Sequence, residues 1–209
     1  MSIKSFLKWI ITRFYEIRYC KYITIGDSTV MRGIRVSGVG GRLIIGKNAY
    51  LRNCSFFFQG PNNLVEIGKG VKLNGVSFIL RYGGNNVIKV GDYTTTGGDV
   101  CFEASEGCRI VIGEDCMFSH NIVVFTSDSH SILDDKGKRL NVAKDVVIGN
   151  HVWIGLNASI LKGSIVPAGS IIAANSTYLQ SSSKNENSVY AGNPAIEIKK
   201  CINWNRMLL

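Results

Sequence analysis

Ile148, Ile154, Ile160, Val166 and Ile172 fall every six residues without a break, and four residues after each comes Val152, Ala158, Ser164, Ser170 or Ser176. A period of six matches neither the 3.6 of a helix nor the 2 of an ordinary strand. It matches a triangular coil, in which each hexad makes one short flat strand and a turn and three hexads close one coil. The aliphatic residue points inward, and the small residue points inward where the coil narrows. Stacked coils then bury one continuous core and pair their backbones with their neighbours.

Upstream the pattern is looser. Ile25-Gly26-Asp27, Ile45-Gly46-Lys47, Ile67-Gly68-Lys69, Val90-Gly91-Asp92 and Ile112-Gly113-Glu114 start 20 to 23 residues apart, and Ile148-Gly149-Asn150 repeats the unit. The 23 glycines recur in this fixed context, so they read as turns and not as disorder. Strict alternation and paired hairpin turns are missing. The expected fold is an all-β solenoid, a left-handed parallel β-helix over residues 23–178.

Three segments break the repeat. Residues 126–145 are polar and lose the inward aliphatic pattern, which predicts a loop thrown out from the coil, a usual place for chemistry on a rigid scaffold. Residues 1–22 lack glycine; Ile3, Phe6, Leu7, Ile10, Phe14 and Ile17 recur at helical spacing, with Lys4, Lys8, Arg13 and Arg18 mostly off that stripe. This predicts an amphipathic helix that either caps the coil or rests on an anionic membrane surface; its charges interrupt any span. Residues 179–209 form a tail containing Trp204, expected to be helical and packed back on the coil.

The formal charge of +9 favours anionic partners, while no compact Lys/Arg block with interleaved aromatics points to nucleic acid. The six cysteines form no CxxC, and no cleavable signal peptide is visible, so reduced thiols in the cytoplasm are expected.

Of the three histidines, His130 lies in the polar loop beside Asp128, Asp134 and Asp135. Histidine is suited to take a proton from a hydroxyl, and a carboxylate or carbonyl on its other ring nitrogen would fix the tautomer. Transfer from a thioester needs little beyond such a base and donors for the oxyanion. The bland alternative is a solvated loop histidine. Trp153 precedes inward Ile154 and so points outward, as a subunit contact, a site wall, or both. His151 also points outward and reads as a surface or interface residue. His120 faces out two places after inward Phe118, near a possible acceptor groove.

The coil pattern, Val147-Ile148-Gly149-Asn150-His151-Val152-Trp153-Ile154-Gly155 and Tyr190-Ala191-Gly192-Asn193-Pro194-Ala195 together resemble the hexapeptide-repeat acetyltransferases over about residues 25–200. The Asp-Ser-His loop, followed by Gly-Lys-Arg-Leu-Asn, looks most like the capsule and lipopolysaccharide O-acetyltransferases, including those acting on sialic acid capsules. The resemblance implies acetyl-CoA as acyl donor, no metal, a homotrimer with sites between adjacent coils, and a sugar or polysaccharide acceptor. It implies His130 as catalytic base and Trp153 as the wall of the acyl and acceptor site. Gly155, Leu156, Ala173, Ala174 and Lys199 are then expected along the coenzyme A, and Asp128 and His120 near the acceptor. Leu179-Gln180 and Ile196 depart from the family's usual residues at those places.

Three other readings compete. N-acylation of an amino sugar nucleotide would use the same base. A non-catalytic, glycan-binding solenoid would need no His130. A zinc lyase on the same coil would need three convergent histidines, but their spacings here are ten and twenty-one residues.

Overall fold

The computed structural model describes residues 20–179 and 185–208, with side chains from Ile23 onward. The expected N-terminal helix lies outside the described residues. The chain is a parallel β-solenoid whose coils present three faces. The first face is a seven-stranded parallel sheet running from Cys20–Ile25 through Gly41–Ile45, Asn63–Ile67, Val87–Val90, Arg109–Ile112 and Val146–Ile148 to Ile165–Val166. The second runs from Val30–Arg32 through Tyr50–Arg52 and Lys72–Asn74 to Trp153–Ile154 and Ile171–Ile172. The third runs from Arg35–Gly38 through Ser55–Phe58 and Val76–Arg81 to Ser159–Ile160 and Thr177–Tyr178. Two long strands, Thr95–Ser105 and Met117–Phe125, turn the corner between the second and third faces and join them into one sheet.

The inward register is the one read from the sequence. Ile45, Ile67, Val90, Ile112, Ile148 and Val166 stack rung on rung and are buried. So are the hexad residues Ile154, Ile160 and Ile172 and the small set Val152, Ala158, Ser164, Ser170 and Ser176. Burying aliphatic side chains at every rung supplies the driving force, at about 1.5–3 kcal/mol each. In the wider early coils phenylalanines fill the added space: Phe56 stacks on Phe78 at 4.9 Å, and Phe78 meets Phe102 at 5.5 Å.

The corners explain the polar half of the repeat. Between the first and second faces Asn48, Gly70, Tyr93, Asp115 and His151 all take left-handed backbone, φ 53–63°, where Gly and Asn are favoured. The same holds between the second and third faces for Asn53, Gly75, Asp99, Asn121, Asn157 and Asn175. There Asn121, Asn157 and Asn175 also link by side-chain hydrogen bonds of 2.9 Å.

The C-terminal tail is not helical among its described residues. Val189–Gly192 extends the second face and turns back as the antiparallel strand Ala195–Lys199. Proline at 194 and the β-branched Ile196 and Ile198 favour a turn and strand over a helix, and the hairpin closes the last coil's open edge. Residues 200–208 then run as an irregular strap to Trp204, which is buried.

Candidate active site

Residues 126–145 leave the coil at the end of Met117–Phe125, on the third face, and return at Val146 on the first. Half-buried and exposed polar contacts hold the loop. Arg139 makes a fork on Glu106 at 2.5 and 2.9 Å, and Ser127 donates to the same carboxylate at 2.6 Å. The Arg139 guanidinium, helped by Ser127, keeps the Glu106 carboxyl below its ordinary range. Asn141 donates to the His130 carbonyl at 2.8 Å and to Asp128 at 2.7 Å, and accepts from Ile132 N–H at 2.7 Å. Asp128 is also paired with Lys162, whose hydrogen bond is the main reason its carboxyl lies low. Beneath the loop a nearly buried Glu103 is matched by Arg81 at 2.9 and 3.0 Å.

These ties fix the backbone around His130 and leave its side chain exposed. No hydrogen bond to its ring is made by the described residues of the same chain. Asp128, expected near the acceptor, is engaged by Lys162 and Asn141, and Asp134 accepts from the backbone of Lys136 and Lys138. A tautomer-fixing partner therefore does not come from these neighbours. Glu106, Asn141 and Lys162 were not read from the sequence as site residues. Asn141 belongs to the Gly-Lys-Arg-Leu-Asn run, which was the available signal; Glu106 and Lys162 carry none.

Trp153 lies on the second face, in register with Met117 and Ile171, and is 37% exposed. The His130 loop springs from the corner between the third and first faces. One chain therefore presents His130 and Trp153 on different sides and does not bring them together. His151 points outward, as expected, and the strap packs on it: its ring stacks on Trp204 at 4.0 Å, with Nδ1 2.7 Å from Asp115 and Nε2 3.1 Å from the Trp204 carbonyl. Arg206 ties the same strap to Asp115 at 2.8 Å and Thr95 at 2.7 Å. Burial would raise the Asp115 carboxyl, and the hydrogen bonds from His151 and Arg206 outweigh it and hold it low. Trp204 reaches within 6.1 Å of Trp153, so the strap walls one side of that indole.

Four of the residues expected along coenzyme A share one edge. Gly155 and Leu156 sit where the second face turns to the third, and Ala173 and Ala174 occupy the same place one coil on; Lys199, paired with Val189 on the closing hairpin, is exposed at the other end of the second face. A Cβ on Gly155 would lie 2.6 Å from the Ala174 nitrogen, so glycine lets the coils approach there. Gly155, Ala173 and Ala174 are small there, whereas the Leu156 side chain is exposed. His120 lines a polar groove lower on the same edge with Asn53, Asn74 and Ser77. No group of three metal-ligating side chains occurs among the described residues.

No protein-family model matches the chain. It is 31% identical over 161 residues to a protein of Escherichia coli strain K12 named as a lipopolysaccharide biosynthesis O-acetyl transferase, WbbJ, covering 72% of this chain and 75% of the relative. The structure of the polysialic acid O-acetyltransferase OatWY superposes with a TM-score of 0.85 at 30% identity, covering 90% of this chain and 88% of that one. The chain belongs to the hexapeptide-repeat acetyltransferases. Within that family it is also 36% identical over 127 residues to the polysialic acid O-acetyltransferase of Neisseria meningitidis, covering 50% of this chain and 58% of the relative. This hexapeptide-repeat acetyltransferase spans about half the length of the curated polysialic acid O-acetyltransferases it matches.

Proposed function

We propose that this chain is an O-acetyltransferase on a left-handed coil, moving the acetyl group of acetyl-CoA to a hydroxyl of an acidic, sialic acid-type cell-surface glycan or its precursor. The observation that carries the reading is the tied loop that holds His130 outward on a rigid solenoid whose opposite edge carries the small residues Gly155, Ala173 and Ala174. In it, His130 takes the proton of the acceptor hydroxyl as that oxygen bonds to the thioester carbonyl carbon. The carbon–sulfur bond breaks, and the imidazolium returns the proton to the leaving thiolate. The Trp153 indole N–H is available to the acyl oxygen.

A covalent acyl-enzyme is not needed. Burial pushes the Cys101 and Cys116 thiols up to about 11, which makes them poor nucleophiles at neutral pH. The free cysteines among the described residues agree with a reducing, cytoplasmic setting; contact of residues 1–22 with an anionic membrane belongs to the same proposal. Among the described residues no helix is long and apolar enough to cross a membrane.

The active unit is a homotrimer, in which the loop of one chain faces Trp153 of the next. Two features support it: the separation of His130 from Trp153 within one chain, and the exposed apolar side chains of the loop, Ile132, Leu133, Leu140 and Val142, beside Val147 and Ile165 on the first face.

The test is acetyl transfer to a panel of acidic and neutral glycans, read as acceptor-dependent thiol release. A product acetyl group lost in mild base marks O-transfer, and one that survives marks N-transfer. His130→Ala is expected to lower turnover by ~10²–10⁴-fold with acetyl-CoA binding retained. Near-normal turnover of that variant would reject His130 as the base.

A further inference from the structure

The net charge of +9 is concentrated at one end of the molecule. Residues 20–82 hold nine Lys and Arg against two Asp and Glu, whereas residues 83–209 hold eleven against twelve. The half that carries the proposed chemistry is thus electrically balanced, and the early coils are strongly basic.

Pairing differs in the same way. Arg81, Arg109, Arg139 and Arg206 each meet a carboxylate. Arg32, Arg35 and Arg52 are exposed, and their guanidinium groups have no hydrogen-bond or ion-pair partner among the described residues. Arg32 and Arg52 are register partners in adjacent coils, and Arg35 begins the next face of the first of those coils. Adjacent rungs lie ~4.8 Å apart, so the guanidinium stems form a short cationic row along one edge.

That row borders a recess suited to hydrogen bonding. Asn53, Asn74, Ser77 and His120 line it, with Arg35 at its lower end. Its floor is backbone: a Cβ on Gly97 would lie 2.5 Å from His120 Cε1, so the imidazole rests directly against the glycine. Asp99 is the one carboxylate of the lining. At the upper end the His120 carbonyl accepts from Asn157 N–H at 3.0 Å. Asn157 follows Gly155 and Leu156, in the same hexad turn as Trp153. The recess therefore runs up the edge that ends at the expected site of acyl transfer.

We infer that the edge formed by Arg32, Arg35, Arg52, Asn53, Asn74 and His120 is a binding track for a linear, carboxylated polysaccharide, which it feeds toward Trp153. Guanidinium forks suit sugar carboxylates, and amide, hydroxyl and imidazole groups suit sugar hydroxyls. Gly97 lets the His120 imidazole lie flat on the backbone, which holds that ring at the recess wall. A lipid surface would use the charge but not a recess lined with amides. The inference rests on the proposed acceptor class and adds where such a polymer is held, away from the chemistry.

The experiment measures binding without acetyl-CoA, so it does not depend on turnover. Fluorescently labelled polysialic acid is titrated with the full chain, with Arg35→Glu/Arg52→Glu, and with a control of equal charge change elsewhere, Arg42→Glu/Lys47→Glu. Thermal melts check that each variant is folded. The track variant is expected to bind about tenfold or more weakly, equivalent to ~1.4 kcal/mol or more. The control should change less than twofold, and the wild-type affinity should fall with added salt while neutral dextran stays unbound. Equal losses in both variants would overturn the track in favour of a diffuse field, and so would failure of the wild type to bind the polymer. Vesicles of phosphatidylcholine with and without phosphatidylglycerol form a second arm. Loss of vesicle binding in the track variant with polymer binding intact would overturn the inference and assign the surface to lipid. Intact polymer binding without any acetyl transfer would instead defeat the proposed function and leave the track standing.

Discussion

Replacing Phe78 with alanine tests whether the solenoid is held together coil by coil. The Phe78 ring is fully buried between Phe56, 4.9 Å away and nearly parallel, and Phe102, 5.5 Å away and tilted. Truncating a buried phenylalanine costs ~3–5 kcal/mol through lost transfer energy and the cavity left behind. Two aromatic contacts are lost with the ring, which places the expected loss toward the upper end, ~4–5 kcal/mol. For a chain of this size that corresponds to a melting temperature lower by ~10–20 °C. In a solenoid each coil touches only its neighbours, so the damage should be local. Hydrogen exchange followed by mass spectrometry should show protection lost first in Val30–Arg81, with Trp153–Tyr178 still protected at the same time point. A drop of less than ~3 °C, or uniform loss of protection along the chain, would refute the reasoning.

The loop around His130 should loosen in acid. Glu106 and Asp128 have lowered folded-state values, so they stabilise the loop above the unfolded carboxyl range near ~4 and lose that effect as pH falls through their lower folded values. Hydrogen exchange of residues 126–145 should rise below about pH 4 while the apolar core stays protected, and Glu106→Gln should produce the same loosening at pH 7; flat loop protection down to ~pH 3 would contradict this. Gly155→Ala should press a methyl group onto backbone atoms of Ala173 and Ala174 at 2.9 and 2.6 Å and part the coils at the donor edge. Acetyl-CoA affinity measured by calorimetry should fall about tenfold, and an unchanged affinity would remove that edge from the donor site.

How much was legible follows from what each residue depends on. The six-residue period specified the solenoid because Ile148, Ile154 and Ile160 each answer to one local demand, an inward position on a coil of fixed size. The loop at residues 126–145 was visible as a failure of that demand. A helix was expected for the tail, but Pro194 and the alternating Ile196 and Ile198 carry a strand signal too short to stand alone; the open edge of the last coil, a tertiary feature, recruits the two isoleucines as a strand and Trp204 as part of a strap. The cover over His151 was not visible for a related reason: its partner Trp204 lies 53 residues away, and nothing local announces the stack. His130 and Trp153 stand out in the sequence, but their placement on different sides of one chain depends on the corner at which the loop leaves. The ties from Glu106 and Lys162 are long-range ion pairs with no sequence period.

In the proposed trimer His130 of one chain acts with Trp153 of another. Co-expressing His130→Ala and Trp153→Ala chains in equal amounts and purifying all the oligomers together decides between a shared and an unshared site. In an equal random mixture, about a quarter of the inter-chain sites recover both native residues. Activity should then exceed that of either parent oligomer and approach a quarter of wild type. Activity no higher than the mean of the two parents would contradict a shared site.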